Sequence, residues 1–214
     1  MFSLGKVKMM IKGKKEYKLY LEADRISLGK NKPSSLLEKI INAFLRDRVW
    51  EYQKILRKVE YIKNCKHGLL GKIRYAFALR KLHKLGTRLG FYIYPNNFGP
   101  GLSIGHPGMI IINTYVRIGA NCRIHPGTVI ATQAGPLSRT PRLGNNIYIG
   151  PGVKIFGDIE IADNIAIGAN SVVNKSFIEP GITIAGVPAE KTSGKGSENL
   201  IIKGSEIAEQ YMEL

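Results

Sequence analysis

Residues 143–173 read LGNNIY-IGPGVK-IFGDIE-IADNIA-IGANSV-V, a run of six-residue rungs that each open on an aliphatic side chain: Leu143, Ile149, Ile155, Ile161, Ile167 and Val173. The same step links Ile112, Ile118, Ile124 and Ile130 further upstream. Gly or another small or polar residue follows the aliphatic one at Gly119, Gly144, Gly150, Ala162 and Gly168. Four places after it stands a small or β-branched residue: Cys122, Thr128, Ile147, Val153, Ile159, Ile165 or Ser171. A rung this short can bury its apolar face only against its neighbours, so the repeat predicts a coil of short strands around a continuous aliphatic column. Gly beside the column suits a tight corner, where positive φ is easiest without a Cβ. Cys122 falls in an inward slot of the coil, which gives it a packing role. The period alone leaves the hand open, since ordinary parallel crossovers are right-handed.

The repeat has two interruptions. Ile104 to Ile112 spans eight residues instead of six, and His106 lies inside that break. Ile130 to Leu143 spans thirteen and contains Thr132-Gln-Ala-Gly-Pro-Leu-Ser-Arg-Thr140, a polar segment with Gly and Pro that predicts a loop projecting from the coil. Loops that leave a rigid scaffold are where binding and chemistry concentrate.

Upstream of the coil the rhythm is helical. Between Ser34 and Asn64, Leu37, Ile40, Ile41, Phe44, Leu45, Val49, Tyr52, Leu56, Val59 and Ile62 recur at three- and four-residue steps, with a capping-box start at Ser35-Leu-Leu-Glu38 after Pro33. A second helical run goes from Leu69 through Ile73, Phe77 and Leu82 to Leu89 after Gly68. The expected organisation is therefore a basic α-helical region over 1–90, the coil over 91–191, and a tail over 192–214 that loses the period and carries one short terminal helix. The charge is just as divided. Residues 1–90 hold 23 Lys and Arg against 7 Asp and Glu, whereas 91–214 hold nine of each. A basic half beside a neutral half suggests an acidic partner: an anionic membrane face, a polyanionic sugar or nucleic acid. No aromatic-interleaved basic motif is present, which disfavours nucleic acid. No run of about 18 apolar residues argues a membrane span, and Met1 to Lys18 lacks a signal-peptide core, so a cytoplasmic protein, membrane-peripheral at most, is expected. Cys65 and Cys122 fit no zinc spacing and read as reduced thiols.

Residues 91–191 resemble the hexapeptide-repeat acyltransferases, and within them the serine acetyltransferase type. The resemblance rests on Gly99-Pro-Gly-Leu-Ser-Ile-Gly-His106, Gly150-Pro-Gly-Val-Lys-Ile-Phe-Gly157, Ile167-Gly-Ala-Asn-Ser-Val-Val173 and Ala185-Gly-Val-Pro-Ala189. It implies a mainly β fold, a left-handed parallel β-helix with three rungs per turn, assembled as a homotrimer with acetyl-CoA as co-substrate, and no metal, in the groove between two subunits. It also implies that His106 is the general base and that Arg139 and Thr140 lie in the acceptor-binding loop. For the cofactor it points to Gly150, Pro151, Ala169 and Ala185 along the pantetheine arm. Ala131 and Thr132 are further candidates, with backbone N–H groups near Ala131 to Gly135 as oxyanion donors, and Lys191 and Lys195 could meet the CoA phosphates.

The chemistry asks for few groups. A hydroxyl is a poor nucleophile at neutral pH, and a base with a pKa of about 6.5 that removes its proton contributes roughly 10²–10⁴-fold. His125, which directly follows the core position Ile124, is the rival base and a candidate lining residue of the acceptor groove; His67 and His83 lie in the basic helices as surface groups. The departures from the family bear on the acceptor. Gly105 stands where the family has Asp before the histidine, Tyr92 replaces an acid early in the first coil, and Thr140 replaces the loop histidine, while Arg139 is retained. An amino acid's ammonium needs an anionic partner to replace its hydration. The sequence therefore favours a sugar hydroxyl of a capsular or surface polysaccharide, with L-serine as the alternative acceptor. A non-catalytic trimeric scaffold and a membrane-surface binder are the readings from other classes.

Overall fold

A computed structural model describes residues 10–213 apart from 33, 46 and 134–138. Leu143, Ile149, Ile155, Ile161, Ile167 and Val173 are all buried, as are Ile112, Ile118, Ile124 and Ile130, and the slots four places on, Cys122, Thr128, Ile147, Val153, Ile159, Ile165 and Ser171, are buried with them. The rungs pair in parallel into three sheets that wrap one column. One stacks Phe91–Tyr92, Ile110–Ile112, Val129–Ala131, Lys154–Phe156 and Val172–Val173; the second stacks Arg117–Ile118, Arg142–Leu143 and Glu160–Ile161. The third runs Ser103–Ile104, Arg123–Ile124, Tyr148–Ile149, Ala166–Ile167 and Thr183–Gly186, with Ala189–Ser193 closing its edge antiparallel.

The corners differ from the expectation. None of Gly119, Gly144, Gly150 and Gly168 has positive φ; the left-handed position falls two places later, at Asn121, Gly127, Asn146, Gly152, Asn164 and Asn170. What demands Gly beside the column is the next coil: a Cβ on Gly119 would stand 2.6 Å from the Gly144 carbonyl oxygen, and one on Gly150 would stand 2.8 Å from that of Ile167. The asparagines then form a ladder. Asn121 Nδ2 donates to Asn146 Oδ1 at 2.9 Å, and Asn146 Nδ2 donates to Asn164 Oδ1 at 2.8 Å. A left-handed residue costs roughly 1–3 kcal/mol, and each buried aliphatic side chain contributes about 1.5–3 kcal/mol, so rungs that bury two such side chains outweigh their corner.

The helical region has more elements than the periodicity indicates. Helix α1 (Lys14–Ser27) precedes both predicted runs and buries Tyr20, Ala23, Asp24 and Ser27. The run over 34–64 is two helices, α2 (Leu36–Leu45) and α3 (Arg48–Cys65), because Asp47 caps α3 by accepting from the Trp50 N–H at 2.9 Å. The capping box is present: Ser35 Oγ accepts from the Glu38 N–H at 3.1 Å, and Glu38 reaches back to the Ser34 N–H. Of these two, α3 supplies buried core residues, whereas Leu36, Leu37, Ile40, Ile41, Phe44 and Leu45 of α2 are exposed. Helix α4 (Gly68–Leu89) ends on left-handed Gly90 and leads directly into the first strand. Beyond the coil, α5 (Gly204–Glu213) packs on α1, with Ala208 buried and the Ser205 N–H donating to Asn121 Oδ1 at 2.9 Å. The tail, aperiodic in sequence, is thus docked on the helical region, held further by the Ser27 hydroxyl on the Ile202 carbonyl. No described helix is long and apolar enough to cross a membrane.

Arg57 of α3, fully buried, joins the two halves. Its Nε and Nη2 donate to Asp24 at 2.8 and 3.1 Å, its Nη1 donates to Glu60 at 2.9 Å, and the remaining donors reach the carbonyls of Phe98 and Gly99 at 3.0 and 2.6 Å. All five guanidinium N–H groups are engaged. Asp24 Oδ1 also accepts from the N–H groups of Gly101 and Leu102, which fixes the start of the first coil. Desolvation pushes the Asp24 and Glu60 carboxyls above their ordinary values, and the shared guanidinium pulls against that. Arg57→Met leaves two buried carboxylates without their counter-charge, for an expected loss of about 3–5 kcal/mol at neutral pH. Because carboxyls with raised folded pKa bind protons more readily in the native state, this deficit narrows as pH falls; urea unfolding of both proteins at neutral and mildly acidic pH measures it.

Candidate active site

The parallel register sets Ile104 against Ile124, Ile124 against Ile149, Ile149 against Ile167 and Ile167 against Ile184. The residues that follow each strand therefore stack along one edge of the coil. The first column is Gly105, His125, Gly150, Gly168 and Ala185, and the second is His106, Pro126, Pro151, Ala169 and Gly186. Backbone bonds tie the levels together, from the Gly105 N–H to the Ile124 carbonyl at 2.9 Å through to the Gly168 N–H to the Ile184 carbonyl at 2.8 Å. His106 and four of the cofactor candidates, Gly150, Pro151, Ala169 and Ala185, thus share one edge, about 19 Å long over four inter-strand steps. His106 is exposed there, carried on the two-residue insertion. Its ring centroid lies 6.3 Å from that of His125.

His125 is the one large side chain in a column of Gly and Ala. Its ring lies over Gly105, where a Cβ would meet His125 Nδ1 at 2.8 Å. With the imidazole lying so, position 105 has no room for an acid beside His106. Arg123 Nε donates to His125 Nε2 at 3.4 Å, which leaves the ring proton on Nδ1, and Tyr148 flanks the ring at 5.3 Å. Desolvation first, then the charge of Arg123 and the influence of His106, hold the His125 imidazole below its ordinary value, which favours its neutral form. Arg123 and Tyr148 went unnoticed in the sequence, although each directly precedes a core isoleucine and so sits outward on the same sheet.

The remaining candidates lie elsewhere. Tyr92 is exposed on the first sheet, with its hydroxyl 2.8 Å from that of Tyr94. Ala131 and Thr132 end the strand Val129–Ala131 at a different corner, half-buried, where the long loop leaves. Residues 134–138, and with them part of the expected oxyanion segment, lie outside the described residues. Past them Arg139 is exposed, whereas Thr140 is buried. Lys191 pairs with Glu179 at 2.6 Å, and His67 and His83 are exposed on the helical region. Among the described residues no three His, Cys, Asp or Glu side chains gather as a metal site.

A triangular coil of six-residue rungs, with small residues and a histidine aligned on one edge, defines a hexapeptide-repeat protein. No family model matches the chain. A serine acetyltransferase of Helicobacter pylori strain J99 is 35% identical over 124 residues, 56% of this chain and 72% of the relative. One from Synechococcus elongatus is 34% identical over 103 residues, 46% of this chain, and the match spans only 41% of that protein. The crystal structure of serine acetyltransferase in complex with coenzyme A from Brucella abortus strain S19 aligns with a TM-score of 0.61 at 21% identity, covering 85% of this chain and 68% of that one. The chain belongs to the serine acetyltransferase family, and its coil is the left-handed β-helix of that fold.

The packing around His125 generates a titration test. In NMR titration its imidazole titrates below the free value of about 6.5. Arg123→Gln, which removes the adjacent charge, and Gly105→Ala, which pushes the ring outward, both raise it. An unchanged midpoint in both variants would contradict the geometry.

Proposed function

We propose that this chain transfers the acetyl group of acetyl-CoA to a hydroxyl. The observation that carries the reading is the register that puts His106 on the same edge as the small-residue track of Gly150, Pro151, Ala169 and Ala185. An extended thiol arm laid along that track meets few protruding side chains, and its thioester end arrives at His106. The imidazole removes the proton of the acceptor hydroxyl as its oxygen attacks the thioester carbon; the tetrahedral intermediate then collapses and expels the CoA thiolate, which takes that proton back from the imidazolium and leaves His106 neutral again. Backbone N–H groups near Ala131 and Thr132 are our candidates for the oxyanion, and Lys191 for a CoA phosphate. Because Ala131 and Thr132 stand at another corner than His106, they meet it only between copies, which supports a homotrimer whose sites lie at its seams; exposed Arg139 remains available to an acceptor there, whereas buried Thr140 does not.

For the acceptor, the names of the relatives favour L-serine, and we take it as the leading reading. A second reading, a sugar hydroxyl of a surface polysaccharide, is supported by the surroundings of His106: His125 fills the space over Gly105, and the charge beside it is that of Arg123. An ammonium finds no counter-charge among those groups, whereas a neutral or anionic acceptor needs none.

In the test, CoA release from acetyl-CoA is followed with L-serine and with a panel of capsular oligosaccharides. His106→Ala is expected to cost roughly 10²–10⁴-fold in turnover with CoA binding and circular dichroism unchanged. Turnover that survives the substitution removes His106 from the mechanism. Turnover with the oligosaccharides and none with serine transfers the assignment to the second reading.

A further inference from the structure

Helix α4 presents two unlike faces. Gly71, Leu82, Leu85, Gly86 and Leu89 are buried toward α3 and the first coil. On the opposite side, within a sector of about 120° at 3.6 residues per turn, lie Leu69, Leu70, Ile73 and Phe77, followed toward the carboxyl end by Arg80, Lys81, Lys84 and Arg88. The four apolar side chains are 74%, 70%, 44% and 71% exposed, and the four basic residues are exposed as well. The helix contains no Asp or Glu. None of its lysines or arginines is ion-paired to a described carboxylate.

We propose that this face of α4 lies on an anionic lipid bilayer, with Leu69, Leu70, Ile73 and Phe77 entering the headgroup boundary and Arg80, Lys81, Lys84 and Arg88 on the lipid phosphates. Three occupants can be compared by chemistry. A soluble polyanion matches the basic end and leaves four large apolar side chains in water. A second copy of α4 packed parallel covers the apolar end but brings like charges together along the basic one, and packed antiparallel it sets each basic end against an apolar one. A bilayer with anionic headgroups meets both ends at once, as a basic amphipathic helix in the interface plane does. The inference rests on α4 alone, where apolar and basic side chains share one sector.

The docking has a consequence for the site. The carboxyl end of α4 is bonded to the segment that carries His106: the Gly108 N–H donates to the Leu89 carbonyl at 2.8 Å, and the Ile110 N–H donates to that of Gly90 at 2.9 Å. A helix held on the bilayer keeps the His106 corner beside it, within reach of a lipid-linked hydroxyl. This consequence rests on the acetyl-transfer reading; the membrane binding does not.

Flotation of the purified full chain tests it, with vesicles of phosphatidylcholine alone and of phosphatidylcholine mixed with phosphatidylglycerol, at low and high salt. The expected result is co-flotation with the anionic vesicles only, weakened by salt. The pairs Leu70→Ser with Phe77→Ser and Arg80→Gln with Lys84→Gln should each lower the partition about tenfold or more at unchanged circular dichroism. Absence of flotation overturns the proposal. So does dissociation of the oligomer by Leu70→Ser with Phe77→Ser in light scattering without lipid, which makes the face a subunit contact. Binding to heparin that equals binding to vesicles and ignores the serine pair overturns it too, in favour of a polyanion. None of these outcomes depends on acetyl transfer, so a failed flotation and a failed activity assay are distinguishable.

Discussion

The coil exists because each turn of backbone lies directly on the one before it. Parallel pairing brings neighbouring rungs to about 4.8 Å, and at the corners the backbones approach closely enough that a Cβ beside the column would sit 2.6–2.9 Å from the next turn's carbonyl, amide or carbonyl-carbon atoms. Gly119 and Gly150 answer that demand. The left-handed residue two places on then reverses the chain, and asparagine fills it where its side chain can bond the asparagine a turn above. Register, corner and ladder are three expressions of one separation. The edge that carries His106 inherits its alignment from the same source, since residues at equal phase in successive turns must stand over one another.

That dependence explains what could be read in advance. The aliphatic period gave the column and its inward slots, because burial is written in composition at fixed spacing. His106 was legible as a break in phase. The corner was misassigned by two residues: glycine serves both positive φ and close approach, and composition does not separate them. The division of the run over 34–64 into α2 and α3 turned on Asp47 as a cap, a local bond that leaves the apolar spacing undisturbed. Helix α1 escaped because it buries a narrow stripe, much of it against α5, and its own period is faint; the terminal helix α5 was legible, its docking on α1 was not. The role of Gly105 needed three dimensions, since the ring that covers it belongs to the next turn.

The site carries a tension between kinship and local chemistry. The relatives are serine acetyltransferases, yet the acids that the family resemblance implies are replaced in this chain by Gly105 and Tyr92. The structure supplies a physical correlate of one of the changes, because His125 lies where a side chain at position 105 would go. An acid at 105 and an imidazole over it compete for one space. Burial and the neighbouring Arg123 charge further disfavour a charge on the imidazole itself. On the proposed reading, the charge that the surroundings of His106 offer an acceptor is the Arg123 guanidinium, which would serve a carboxylate or phosphate better than an ammonium.

The helical half is coupled to that site through short, stiff connections. Arg57 bonds the carbonyls of Phe98 and Gly99 while Asp24 holds the N–H groups of Gly101 and Leu102, so α1 and α3 clamp the segment just before Ser103–Ile104. Gln53 of α3 donates to the Leu102 carbonyl at 2.7 Å and accepts from the Ile104 N–H at 3.1 Å, two residues short of His106. On the far side of His106, Gly108 is bonded to the end of α4. The histidine thus sits between two anchored points of four residues' separation, Ile104 and Gly108, each fixed by a different helix. A free insertion would leave an exposed imidazole to wander over the corner; this one is held at both ends, by Gln53 of α3 and by the carboxyl end of α4, which is how an exposed side chain can keep its place.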